Sequence, residues 1–205
     1  MPIRSRLAAA SCAVLVLVTP ADAQTVEVCQ VVRVTDAVVL ERGGRSVAAV
    51  PGHVLARADR IGTGPSGRAT LRCNTGLEMT IGPGTLIALE RIMAPGRERP
   101  GVDLFRGIAG FFLDRGRPGG FEVRTPSAVA AVRSTTWAVA VEDRATAAFV
   151  SKGRVLVAGR GGAVALDAGE GVDVTADGVI GPPKSWGAER IEGFARRLGG
   201  DWTAR

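Results

Sequence analysis

The sequence has few of the residues on which most catalytic and metal sites depend. Among 205 residues there is no tyrosine, one histidine (His53) and only 4% aromatic residues. A lone histidine cannot build a conventional metal site or catalytic triad, and no serine lies in a G-x-S-x-G elbow. We therefore predict no enzymatic activity, no cofactor and no metal. The enzymatic alternative is a small hydrolase with two carboxylates that the fold brings together.

Clustered positive charge is also lacking. The net charge is +6, and all but two of the 26 basic residues are arginines scattered along the chain. A nucleic-acid groove usually combines clustered basic residues with stacking aromatic residues. The distribution indicates a solvated surface and predicts no nucleic-acid partner.

Long hydrophobic runs are limited to the N-terminus. Arg4 and Arg6 precede an apolar core at 7–18, and Ala21 and Ala23 are small residues at the −3 and −1 positions. This pattern predicts a signal peptide at 1–23, cleavage after Ala23 and export to the periplasm. The alternatives are an uncleaved anchor and lipidation of Cys12, although the run is shorter than the ~20 residues of a spanning helix. No other stretch predicts an integral membrane segment.

Glycine, in contrast, is abundant, with 28 residues. Short β-branched segments are separated by glycine roughly every eight to ten residues, a spacing typical of all-β meanders, barrels and solenoids. This spacing leaves no room for crossover helices. An apolar fraction of 46% is enough to build the core of one domain.

Residues 121–141 are the most informative stretch. One extended segment ends at Thr125 and Pro126, because proline removes a backbone donor, and a second is predicted at 132–141. On the second segment, large residues alternate with small ones: Trp137, Val139 and Val141 against Thr136, Ala138 and Ala140. The alternation predicts a buried large-residue face and a small-residue face against a closely packed neighbour.

Several of these segments together resemble the signature of the FecR domain family. They are 123–126 (V-R-T-P), 132–139 (V-R-S-T-T-W-A-V), 152–155 (K-G-R-V) and 168–170 (A-G-E). The resemblance continues upstream through 59–63, 74–77 and 104–107, and covers roughly residues 28–175. Ser134 stands where the family usually has glycine. If that position needs a positive φ, serine there costs about 1 kcal/mol.

The resemblance favours, for this all-β chain, short strands in a twisted β-solenoid-like body over a sandwich. We expect the FecR-like domain at 24–180 and a linker with one capping helix at 181–205. FecR-family regulators usually carry such a domain in the periplasm, where it relays the state of an outer-membrane transporter to a sigma factor through a membrane helix. The sequence shows neither a sigma-binding segment nor a spanning helix, so the resemblance implies the periplasmic part.

The signature residues are predicted to serve the fold. They are Thr125, Pro126, Arg133, Ser134, Thr135, Trp137, Gly153, Gly169 and Glu170. We expect Trp137 in the core, and Arg133 and Thr135 in hydrogen bonds that close a turn. A ligand site at these residues is the alternative.

Two further patterns concern Cys29 with Cys73 and residues 62–67. An even pair of cysteines in an exported protein predicts a disulfide, with two separately buried thiols as the alternative. Residues 62–67 match G-x-G-x-x-G, but a dinucleotide site needs a following helix N-terminus. Residues 68–73 alternate as a strand instead, so we predict no phosphate site.

The C-terminal tail predicts a helix at 186–198, capped by Ser185. Its apolar face carries Ile191, Phe194, Ala195 and Leu198. We expect it to cover an open edge or end of the β-structure. The alternative is a helix that docks a partner or lies on a membrane surface, because arginines flank its apolar face.

These observations predict an exported, non-catalytic interaction module that binds an envelope protein. The alternative is an envelope structural protein that binds peptidoglycan or another glycan. Three tryptophans and no tyrosine argue against that alternative, since sugar platforms are typically aromatic.

Overall fold

A computed structural model describes residues 28–56, 58–89, 91–92, 99–114, 120–133, 135–200 and 202. The predicted signal peptide with its cleavage site after Ala23, and Ser134, lie outside the described residues.

The described chain consists of strands followed by one helix. The strands are β1 (Cys29–Thr35), β2 (Val38–Arg42), β3 (Arg45–Ala48), β4 (Arg60–Thr63), β5 (Arg68–Cys73), β6 (Leu77–Ile81), β7 (Leu86–Ala88), β8 (Gly101–Leu113), β9 (Phe121–Arg124), β10 (Val129–Val132), β11 (Thr136–Glu142), β12 (Ala145–Lys152), β13 (Arg154–Gly159), β14 (Gly162–Asp167), β15 (Glu170–Val174) and β16 (Lys184–Ser185). The helix is α1 (Ala188–Leu198). An all-β body with one C-terminal helix is therefore confirmed.

The strands form one mixed sheet that is not closed into a barrel. The first layer has the order β1-β5-β6-β8-β11-β12-β15-β16, and the second has the order β3-β2-β4-β7-β8-β9-β10-β13-β14. Only β8 belongs to both layers, and its contact with β9 is the one parallel pairing between the named strands. Successive groups of strands alternate between the layers, so the chain winds around one core.

Strand β8 joins the layers because it bends at Gly107. This glycine has φ 88°, and a Cβ atom at its position would overlap Thr85. The Thr85 hydroxyl needs that space, since its Oγ1 accepts a hydrogen bond from Ile108 N at 2.9 Å. Beyond the bend, β8 pairs with β6 and β11 in the first layer.

The core lies between the two layers. Phe111 and Trp137 of the first layer stack with ring centroids 4.9 Å apart. Phe121 of the second layer packs against both, at 5.8 Å from Phe111 and 6.1 Å from Trp137. All three rings are fully buried, so this cluster connects the layers at the middle of the molecule.

Helix α1 packs on the outer face of the first layer. Phe194 and Leu198 join a second apolar cluster with Ala138 and Ala140 of β11, whereas Val139 and Val141 face the main core. The two faces of β11 therefore behave as the alternation predicted. A Cβ at Gly110 would overlap the Trp202 indole, and a Cβ at Gly171 would overlap the Trp186 indole; the small residues make room for the C-terminal rings.

Three details of the predicted elements were wrong. The segment predicted at 132–141 is two strands, since β10 ends in the second layer and β11 begins in the first. Ser185 does not cap the helix: it pairs with Glu170 in β16, and Gly187 is the N-cap without a side-chain cap. The helix does not cover an open edge as predicted. It covers a face of the sheet, because small residues on that face accept its apolar side chains, and β3 and β14 keep one neighbouring strand each.

Candidate interaction surface

The threonine-proline step of the signature closes the turn between β9 and β10. Thr125 Oγ1 accepts a hydrogen bond from Ala128 N at 2.8 Å and lies 2.7 Å from Thr146 Oγ1. Ser127 Oγ is also 2.7 Å from the Thr146 hydroxyl. Pro126 lies within this turn. Because Thr146 belongs to β12, the hydroxyl cluster ties the second layer to the first.

The next part of the signature is the crossing from β10 to β11. Thr135 O accepts a hydrogen bond from Leu113 N at 3.1 Å, and Thr135 Oγ1 donates to Arg154 O at 3.2 Å. Arg133 is exposed. Thr135 thus holds the passage between layers through its bonds to Leu113 and Arg154.

The remaining signature residues are in the core or in turns. Trp137 is fully buried. Gly153 and Gly169 have φ values of 86° and 87° in turns that favour glycine, and Glu170 Oε2 accepts a hydrogen bond from Asp167 N at 2.8 Å. The structure spreads the signature over several turns and the core and does not gather it around one cleft.

The most buried positive charge of the described residues is Arg91, whose side chain is 7% exposed. Its guanidinium lies 3.4 Å from Asp103 and 3.6 Å from Glu122. Burial lowers the pKa of Arg91, and the two carboxylates oppose that shift. Both carboxylates share one cation, which is the arrangement of a structural ion cluster.

The described residues contain neither a metal-binding cluster nor a membrane-spanning helix. No three histidine, cysteine or acidic side chains lie close enough to hold a metal ion within the described ranges. In that part of the chain, no helix combines the length and apolarity needed to cross a membrane. The G-x-G-x-x-G segment connects strands β4 and β5.

The β2–β3 hairpin is an open part of the surface. All four residues of β3 are exposed, and β3 pairs with β2 alone. Ala49 N donates to Val38 O at 2.9 Å, so alternation along an antiparallel pair directs the N–H and C=O groups of Val47 toward β2 and those of Ser46 and Ala48 outward. Strand β3 therefore presents unpaired backbone groups to solvent.

A groove lies beside this edge, which we call the hairpin groove. It encloses ≈ 380 Å³ and is lined by Leu40, Arg42, Arg45, Val47, His53 and Val54. Val47 is 49% exposed and Val54 is 56% exposed, so two aliphatic side chains of the groove are open to solvent. One wall belongs to the second layer and the other to the segment that pairs with β1, where Val31 N donates to His53 O at 2.9 Å.

The two arginines of the hairpin groove differ in their partners. Arg42 donates to the buried Asp59 through Nε at 2.8 Å and Nη2 at 2.6 Å, and its Nη2 also donates to Val54 O. The hydrogen bonds that Arg42 donates to Asp59 raise the pKa of the Arg42 guanidinium. Arg45 has no ion pair or hydrogen bond to another described side chain. Among the described residues, the groove therefore carries one compensated and one uncompensated positive charge.

Sequence reasoning missed this surface. The turn at 42–45 was evident from its two glycines, which have φ values of 56° and 77° and suit a two-residue hairpin. The exposed valines gave no signal, since alternation alone predicts burial. Only the pairing of residues 52–55 with β1 brings Val54 opposite Val47.

The cysteines lie near the same surface. Cys29 of β1 and Cys73 of β5 are directly opposite in register, with Cα atoms 3.9 Å apart, and form a disulfide. Leu55 N donates to Cys29 O at 2.9 Å. The disulfide thus anchors the strand that holds one wall of the hairpin groove.

Comparisons with known proteins place this fold. Two crystal structures of a candidate anti-sigma factor from Parabacteroides distasonis ATCC 8503 match the chain with a TM-score of 0.56 and 22% identity, covering 64% of this chain and 62% of theirs. At this identity the likeness shows the fold, and the match spans less than two thirds of those proteins. No curated protein matches the chain at a significant level. The model of the FecR protein family matches residues 59–156, so the family resemblance found in the sequence is confirmed over that segment.

Proposed function

We propose that the chain is an exported, non-catalytic interaction module of the FecR type, whose partner is a protein of the cell envelope. The match over residues 59–156 supports a regulator-type domain. The single observation that carries the proposal is the open edge of β3 beside the hairpin groove, because it offers unpaired backbone groups, exposed aliphatic side chains and the uncompensated Arg45 at one place. Protein surfaces of this composition suit another polypeptide.

Export is supported by two independent features. The N-terminal sequence has the charged, apolar and small-residue regions of a signal peptide. The disulfide between Cys29 and Cys73 suits an oxidising compartment such as the periplasm. A fusion of the full chain to alkaline phosphatase tests this: activity from cells expressing the fusion is expected, and its loss in an Arg4→Glu/Arg6→Glu variant ties export to the charged region. An inactive fusion contradicts export.

The glycan alternative has less support in the structure. Sugar platforms expose aromatic rings, whereas Trp137, Trp186 and Trp202 are 0%, 6% and 3% exposed. Phe105, at 43% exposure, is the one large aromatic side chain open to solvent in the described part of the chain. An interaction with protein fits these surfaces better than an interaction with sugar.

The test is crosslinking in cells. A tagged full-length chain is crosslinked in its native envelope and the captured material is identified. We expect a specific envelope protein, such as a transporter or an anti-sigma protein. Recovery with purified cell-wall sacculi alone, or capture of no protein, would contradict the proposal and favour the glycan alternative.

A further inference from the structure

We propose that β3 binds an extended segment of the partner protein by strand addition, with an acidic residue of that segment at Arg45 and an apolar residue at Val47. This inference rests on the proposed function and specifies its contact. It makes the hairpin groove, residues Leu40, Arg42, Arg45, Val47, His53 and Val54, the specificity pocket of the interaction.

The backbone of β3 has N–H and C=O groups that an added strand can bind. Ser46 and Ala48 direct their N–H and C=O groups away from β2, as the register of the hairpin requires. An added strand satisfies these groups with main-chain hydrogen bonds, which supply affinity without regard to sequence. Because β3 has only four residues, the bound segment is short.

The side chains of β3 that face the groove determine which residues of the bound segment they contact. Arg45 and Val47 alternate with Ser46 and Ala48, and they point to the groove side of the hairpin. Residues of an added strand that lie opposite Arg45 and Val47 are two positions apart and face the same side. Val47 and Val54 are about half exposed, so an aliphatic side chain of the partner buries apolar surface between them.

The two arginines of the hairpin groove determine which charge the bound segment carries. Arg42 is neutralised by Asp59 at 2.6 Å, whereas no carboxylate of the described residues contacts Arg45. An acidic residue of the partner compensates this charge, and a basic residue is repelled. The ligand is therefore an extended peptide with one acidic and one apolar residue separated by a single residue.

A second open edge distinguishes this inference from non-specific pairing at any edge strand. β14 also has one neighbour and exposes Ala163 and Ala165, and its two-residue turn directs the backbone groups of those residues outward. On β14, Gly162 has the register position that Arg45 has on β3, so that edge lacks the positive charge. A strand-addition peptide with the acidic residue is expected to select β3.

The test uses the purified full chain and a labelled, threonine-rich peptide of about six residues that carries valine and glutamate two positions apart, followed by fluorescence anisotropy. Ala48→Pro removes an outward N–H without removing a bond to β2, and Ala165→Pro makes the same change on β14. We expect Ala48→Pro to weaken binding by about tenfold and Ala165→Pro to leave it unchanged. Equal effects of the two prolines, with both variants folded by circular dichroism, would overturn the site.

The charge is tested separately. Arg45→Glu is expected to reverse the preference, so that a peptide with lysine in place of glutamate binds more tightly. Arg144→Glu, at the exposed turn between β11 and β12, is the matched control and leaves the preference unchanged. A preference that Arg45→Glu does not alter would contradict the proposed contact, as would self-association of the chain that Ala48→Pro abolishes.

Failure of this inference is distinguishable from failure of the proposed function. If Ala48→Pro captures the same envelope protein as the unmodified chain in cells, the partner exists and β3 is not its site. If neither chain captures a protein, the proposed function itself fails.

Discussion

The signature region at 121–170 and the β2–β3 hairpin differ in what their residues contact. Trp137 is fully buried and Thr125 and Thr135 bond to neighbouring strands, whereas β3 is exposed along its whole length and Arg45 faces an open groove. The family model matches 59–156 and does not include the hairpin. The residues that identify the family therefore hold the fold, and the surface open to a partner specific to this chain lies outside them.

Replacement of Trp137 is expected to cause the largest loss of stability. Trp137→Ala leaves a cavity between Phe111 and Phe121, and we expect unfolding free energy to fall by about 3–5 kcal/mol. The measurement is chemical denaturation of the purified chain. Val47→Ala in the hairpin is the control, with a change within about 0.5 kcal/mol because Val47 is half exposed; similar losses in both variants would erase the distinction.

Removal of the disulfide is expected to destabilise the wall of the hairpin groove. The cysteines are 44 residues apart in sequence, and the chain-entropy model gives a loss of about 4 kcal/mol for a loop of that length. We expect a lower melting temperature of the Cys29→Ser/Cys73→Ser variant by calorimetry. Hydrogen exchange is expected to rise first at Val31 and Leu55, whose amides bond across the groove wall; an increase confined to β11 would contradict this placement.

The helix-covered face is a third environment, and Gly110 tests it. Gly110→Val places a side chain against Trp202 and Leu198, so we expect a loss of about 1–3 kcal/mol from overpacking. Limited proteolysis is expected to cut within α1 more readily. Gly193→Ala, where a Cβ atom meets only the Arg196 guanidinium at 4.0 Å, is the matched control and should resist proteolysis at least as well as the unmodified chain, because alanine favours a helix over glycine.

The smallest expected effect is a pH dependence of helix docking. Hydrogen bonds from Arg190 and, more weakly, Lys184 lower the pKa of Asp173, and burial opposes them. Since the folded-state pKa lies below the unfolded value, the stabilisation is present above the unfolded pKa near 3.9 and is lost as the pH falls through the folded pKa. Melting curves between neutral and acidic pH should show this loss in the unmodified chain and a smaller one in Arg190→Ala; identical profiles would remove Asp173 from the account.

Local structure could be predicted from the sequence because alternation and glycine spacing are local signals. The alternation at 68–73 predicted the strand that the structure has as Arg68–Cys73, and the parity of residues 136–141 predicted both faces of β11. The passage between layers at 133–135 gave no such signal, because no glycine or proline interrupts the alternation there. The family signature could therefore be detected in the sequence, whereas the crossing between layers that its residues form could not.

Long-range placement could not be predicted in the same way. An apolar stripe on α1 shows that the helix is buried on one side, but the accepting surface depends on Gly110, Ala138 and Gly171 from three strands. The hairpin groove likewise depends on the pairing of residues 52–55 with β1. Such contacts combine distant segments, and periodicity within one segment carries no information about them.

Site-specific photocrosslinking in cells can distinguish a partner bound at the hairpin edge from one bound at the signature. A photoreactive residue is placed at Ala48 on the hairpin edge or at Arg133, an exposed residue of the signature, in the otherwise unmodified full-length chain. The account predicts a crosslinked envelope protein from position 48 and none from position 133. Crosslinking of that protein from position 133 alone would show that the signature is the interface and would contradict the division between framework and binding edge.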